Sequence, residues 1–126
     1  MEDLILALTG YLSGSELPLY LVDAVPEKAA FPYLTAEVVS PCQPDVKGSI
    51  LLTLWCVGDD ANLKRMELHS LLMLAFPYRG TMLTSAAGRY ILQPERSDLV
   101  ESGTAKGSRL TLGVRFYPAE KEVAQA

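Results

Sequence analysis

The sequence predicts an α+β fold, a mostly antiparallel sheet with two helices in the order α-β-β-β-α-β-β-β. Three observations carry that expectation. Apolar residues recur at helical spacing over residues 1–12 and 61–75. Period-two alternation marks most of the stretches between and after them. The strands come in adjacent runs broken by one helix, a pattern that favours antiparallel pairing with helices packed on a sheet face. At 126 residues the chain is long enough for a real core. One domain is expected over 1–118, with a loose tail over 119–126.

The first helix is read from Leu4, Ile5, Leu8, Tyr11 and Leu12, which share one face. Glu2 and Asp3 suit its first turn, and Gly14 its stop. Leu19 to Val22 is a short strand entered from Pro18. Pro26 and Pro32 exclude a long regular element from 23–32. Tyr33 to Val39 alternates, with Leu34, Ala36 and Val38 on one face. A loop with Pro41 and Pro44 then leads into Gly48, so a hairpin between 33–40 and 48–57 is expected.

Gly48 to Tyr78 is the centre of the chain. Ile50, Leu52, Leu54 and Cys56 alternate with Leu51, Thr53, Trp55 and Val57, leaving both faces largely apolar. Such a strand belongs in a central position or at an interface. Gly58-Asp59-Asp60 stops it, and either aspartate can cap the helix Ala61 to Ala75 that ends before Pro77. In its first half Lys64, Arg65 and His69 are expected to point away from Leu63 and Leu71. In its second half Leu71-Leu72-Met73-Leu74-Ala75-Phe76 is apolar nearly all round, more than one core requires, which hints at a partner. Short strands follow at Thr81 to Ser85 and Arg89 to Gln93. Residues 95–107 are polar and expected to be mobile. Ser108 to Tyr117 is the cleanest strand, with Leu110, Leu112, Val114 and Phe116 facing in.

The net charge is −4 and the pI is near 4.9, which argues against nucleic acid as the main ligand. No apolar run reaches the roughly 20 residues of a membrane helix. Acids stand near the amino terminus where a signal peptide carries positive charge, so residence in a cytoplasm is expected. Cys42 and Cys56 then read as reduced thiols, one in a loop and one in the core. The hairpin would hold them on the order of 25 Å apart, too far to bridge.

No catalytic constellation, cofactor motif or metal-ligand spacing stands out, so an enzyme is not expected. His69 is the sole histidine and is more simply an ordinary half-buried side chain than a general base. Asp59-Asp60 is explained by the helix start. Gly103-Thr104-Ala105-Lys106-Gly107-Ser108 lacks the spacing of a phosphate loop. Interface candidates are Trp55, Leu72, Met73, Phe76, Arg89, Arg115 and Tyr117. Arg89, Arg109 and Arg115 are possible partners for Glu37, Glu95 or Glu101 across a subunit contact, with a solvated sheet face as the alternative.

The layout resembles the tail terminator, or tail completion, proteins of long-tailed bacteriophages and prophages. The matching features are the leading helix, the strand and loop 19–32, and Phe31-Pro32-Tyr33-Leu34-Thr35 opening the second strand. The strand–Asp–helix unit at 50–75, the polar hairpin loop 95–107 and the last strand ending Phe116-Tyr117-Pro118 match as well. The resemblance implies a structural protein of the virion tail, made in the host cytoplasm, that forms a ring, commonly a hexamer. Such a ring caps the tail tube, ends its polymerisation and prepares head joining. The implied partners are further copies of itself, the tail tube protein and a head completion or neck protein, with no cofactor and no membrane. A ring needs two different patches per subunit. Leu72, Met73 and Phe76 are the candidates for one, and Trp55, Arg115 and Tyr117 for the other. Arg96, Asp98, Glu101 and Lys106 on the polar loop are candidates for tube contact. A head–tail joining or minor tail protein is the alternative within this class. A small cytoplasmic enzyme or ligand-binding domain, or an oligomeric adaptor, is the alternative outside it.

Overall fold

The computed structural model describes residues 2–15 and 17–119; the expected tail beyond residue 119 lies outside the described residues. Helix α1 (Glu2–Leu12) is followed by a 3-10 turn, Ser13–Ser15. Strands β1 (Leu19–Leu21), β2 (Tyr33–Ser40) and β3 (Gly48–Cys56) precede α2 (Ala61–Ala75). Strands β4 (Thr81–Ser85), β5 (Gly88–Ser102) and β6 (Ala105–Pro118) complete the predicted α+β order. The six strands form one sheet in the order β1-β2-β3-β6-β5-β4. All pairs are antiparallel except β1–β2, which is parallel.

Strand β3 sits inside the sheet, as its two apolar faces predict, but the helices cover one face only. Leu4, Leu8 and Leu12 of α1 and Leu72 of α2 join Phe76 over Leu34, Ile50, Leu52, Leu54, Leu92, Leu110, Leu112 and Val114. The alternation read for β6 holds, with Leu110, Leu112 and Val114 buried and Phe116 packed against the core. Both cysteines are free thiols, Cys42 half-buried and Cys56 buried.

The uncovered face shields itself. Trp55 stands opposite Gly107 in the β3–β6 register, and Trp55 Nε1 donates to Thr35 Oγ1 at 3.2 Å. Arg109 Nε lies 3.4 Å from Thr53 Oγ1 on the same face. Thr35 and Thr53 are buried there without any helix above them. Trp55 is thus held within its own chain.

Three local expectations are corrected. Asp60 makes no side-chain cap bond; the turn is closed by the backbone, with Ala61 N–H donating to Gly58 O and Lys64 N–H to Asp60 O. The polar stretch 95–107 is no loose loop: β5 runs to Ser102 and β6 begins at Ala105, paired residue by residue around Gly103. Gly103 has φ +60°, which suits a two-residue hairpin turn. Polarity misled here because most of this hairpin is exposed and its residues lack the regular apolar alternation of a strand covered on one face. The third correction concerns α2 and is given below.

At the amino terminus, Ser85 and Tyr90 hydroxyls donate to Asp3 Oδ2 at 2.6 and 2.7 Å, fastening α1 to β4 and β5. These bonds, Ser85 first and Tyr90 second, hold the Asp3 carboxyl below its ordinary range. Stability from a lowered carboxyl is present above the ordinary value and lost as pH falls through the folded value. Asp3→Ala is therefore expected to lower Tm at neutral pH and to flatten part of the acid limb of a Tm-against-pH curve; an unchanged acid limb would remove this assignment. In the sheet, a Cβ on Gly107 would lie 2.8 Å from Val100 Cγ2 and 3.0 Å from the Trp55 ring. Gly107→Ala should cost about 1–3 kcal/mol by overpacking, and urea melts should show it together with a shifted Trp55 emission.

Candidate assembly surfaces

The sheet-facing stripe of α2 is Ala61, Arg65, Leu68, Leu72 and Phe76, spaced at i, i+4, i+7, i+11 and i+15. Leu72 and Phe76 are core residues, 5% and 0% exposed, and Met73 is half-buried against them. Leu72 and Phe76 are therefore not available to a partner, contrary to the sequence reading, and Met73 is only partly so. Arg65 is also turned inward, 8% exposed, with Nη2 donating to Asn62 Oδ1 at 2.8 Å and Nη1 3.4 Å from Gly107 O. Its Nε has no partner among the described residues. His69 follows it inward, Nδ1 2.6 Å from Ser108 Oγ. The reason is in the sheet. Beneath this end of α2, β6 offers Lys106, Gly107 and Ser108 in place of large apolar residues, so the helix packs polar on polar there.

The consequence is a dry outer face. Leu63, Met66, Leu71 and Leu74 are 68%, 65%, 59% and 78% exposed. On a 3.6-residue helix they surround Glu67 and Ser70 on the side away from the sheet. The apolar excess read in the sequence exists, but on different residues.

On the opposite, uncovered face, the β4–β5–β6 end carries a second patch. Met82, Ile91 and Arg115 form one cross-strand row, and Thr84, Arg89 and Tyr117 the next. A depression of about 270 Å³ is lined by Met82, Arg89, Ile91 and Tyr117. The structure thus brings Arg89, Arg115 and Tyr117 together. It separates them from Trp55, which faces the same side but opposes Gly107, ten residues along β6 from Tyr117 and on the order of 30 Å away. Met82 and Ile91 were missed in the sequence, because an outward-facing apolar residue on a short strand has the same pattern as a core residue.

The polar candidates on the hairpin pair with one another. Arg96 Nε lies 3.0 Å from Asp98, and Lys106 Nζ 2.8 Å from Glu101. Lys106 holds the Glu101 carboxyl below its ordinary range, first by its hydrogen bond and then by its charge. Glu95 pairs with Lys47 in the same chain. Within one chain, no salt bridge among the described residues joins Arg89, Arg109 or Arg115 to Glu37, Glu95 or Glu101.

A groove of about 500 Å³ runs between α1 and α2, lined by Leu12, Leu17, Leu34, Leu54, Leu68 and Leu71 among others. No polar side chain lines it among the described residues. His69 and Ser108 make a hydrogen bond, but Ser108 is 1% exposed and no described carboxylate bonds the imidazole. Among the described residues no cluster of His, Cys, Asp and Glu converges as a metal site, and no helix is long and apolar enough to cross a membrane.

No family model matches the chain, and no curated protein matches it. One solved structure, named only by a sequence identifier, aligns over 94% of this chain and 94% of its own length at 15% identity, with a TM-score of 0.67. At that identity the likeness shows the fold alone.

The two sides of α2 give a direct contrast. Leu72→Ala should destabilise by about 2–5 kcal/mol, while Leu74→Ala, one turn face away, should stay within about 0.5 kcal/mol. Urea unfolding followed by Trp55 fluorescence measures both; equal losses would mean that the helix is rotated.

Proposed function

We propose that this protein is a structural subunit of a phage tail or tail-like particle, not an enzyme. In this reading it caps the growing tail tube as a homo-oligomeric ring of the hexamer kind, stops polymerisation and presents the surface for head joining. Its partners are copies of itself, the tube protein and a head completion or neck protein. It is made in the host cytoplasm and ends in the virion tail. The observation that carries the reading is the outer face of α2, where four large apolar side chains stand in solvent together on one helix. An apolar stripe of that kind marks a protein contact. The second patch, on the opposite face of the sheet, supplies what a head-to-tail ring requires, namely two different surfaces per subunit. The order of elements agrees with the resemblance read in the sequence.

Capping is tested on the tube. Added to polymerising tube protein, the native chain should stop elongation at substoichiometric amounts. It should also appear as a closed ring near six times 13.7 kDa by light scattering and negative stain. Leu63→Asp with Leu74→Asp should abolish both effects while the circular-dichroism spectrum is kept. Unchecked tube growth with the native chain present would overturn the reading.

A further inference from the structure

The two patches are complementary in charge. Glu67 is the single carboxylate on α2, and it stands among Leu63, Met66, Leu71 and Leu74 with no ion pair among the described residues. Lys64, one turn earlier, projects from the flank, about 100° around the helix from Leu63. The sheet patch is the reverse. Arg89 and Arg115 are diagonal neighbours on β5 and β6, and such neighbours lie roughly 7–8 Å apart. Neither has an ion pair among the described residues; Asp45 lines a neighbouring depression with Arg115, yet no salt bridge joins them. Around the two guanidinium groups lie exposed Met82 and Tyr117, 55% and 50% accessible, and the depression they share with Ile91.

We propose that α2 of one copy seats on the Arg89–Arg115 sheet patch of a second copy. Glu67 lies between the two guanidinium groups, and Leu63 and Leu74 pack on Met82, Ile91 and Tyr117. The inference rests on the ring reading for its setting and names the contact that builds the ring. Charge selects this arrangement over the two-fold alternatives. Pairing α2 with α2 about its midpoint brings two Glu67 carboxylates within about one helical turn. Pairing the sheet patch with itself gathers four guanidinium groups. Like charges brought together this way oppose association, whereas the mixed contact places the carboxylate against cations. A contact between different patches is heterologous, so it leaves one of each patch free for the next copy.

The test is a charge exchange with a geometric readout. Glu67→Arg alone, or Arg89→Glu with Arg115→Glu, should weaken self-association at least about tenfold by light scattering, and the three together should recover it to within about threefold. Glu67→Gln and Arg89→Gln with Arg115→Gln serve if a reversal fails to fold by circular dichroism. Separately, in a Cys42→Ser background, Leu74→Cys mixed with Met82→Cys should give the mixed disulfide under mild oxidation. Predominant Leu74→Cys homodimers, or no recovery in the triple variant while the native chain still forms rings, would overturn the contact and leave the ring reading standing. A native chain that stays monomeric at all concentrations and on tail tubes would overturn both.

Discussion

A six-stranded sheet covered by helices on one face only is the constraint from which the rest follows. Strand β3, inside the sheet, is largely apolar on both sides, yet α1 and α2 both pack on one side. The other side must be shielded by the sheet's own residues. It is shielded where Trp55 opposes Gly107 and bonds Thr35, and where Arg109 reaches Thr53. Gly107 is the residue that lets the ring approach, since a side chain there would meet it. At the far end of the same face no such shielding exists, and Met82 and Tyr117 remain in solvent. The accessible patch is therefore a place where self-coverage stops.

The long hairpin makes the same point about edges. Strand β4 pairs with β5 only as far as Leu92, so the outer edge of β5 from Gln93 to Ser102 has no described strand beside it. An open edge of that length invites pairing with another chain. Here it carries Pro94, a register irregularity between Pro94 and Arg96, and the charges of Glu95, Arg96, Asp98 and Glu101. Those features discourage strand addition, and the charges are balanced locally by Lys47, Asp98, Arg96 and Lys106. The edge is thereby less open to strand addition than its length suggests.

How far the sequence could be read depended on whether a pattern had one solution. Strand β3, the interior of β6 and the bounds of α2 follow from alternation and from Gly58 and Pro77, and these agree with the structure. The rotation of α2 did not follow, because Leu71 to Phe76 is apolar all round and period alone cannot choose a face. The choice is made by the sheet beneath. Small, polar Gly107 and Ser108 accept Arg65 and His69, and this turns Leu63 and Leu74 outward. The hairpin 95–107 was illegible for a related reason, since its mostly exposed strands carry no regular apolar alternation. Of the site, Arg89, Arg115 and Tyr117 were found by their type and strand position, while Leu72 and Phe76 belong to the core.

The position of the charges limits what the exposed faces can do. An apolar stripe alone would bind any apolar partner, a second α2 included. In the proposed contact one carboxylate at its centre disfavours self-pairing and calls for a cation opposite, which Arg89 and Arg115, without an ion pair among the described residues, would supply. Specificity here comes as much from the pairings made unfavourable as from the contact made favourable. Because the two faces lie on opposite sides of one sheet, each copy added through the proposed contact would repeat the same rotation, and the thickness and twist of the domain would set whether the series closes. Arg65 fits this logic as well. Its burial with an unpartnered Nε weakens the packing of the first half of α2, the half that carries Leu63 and Glu67. In the proposed contact this is the half of the helix on which the second copy would seat.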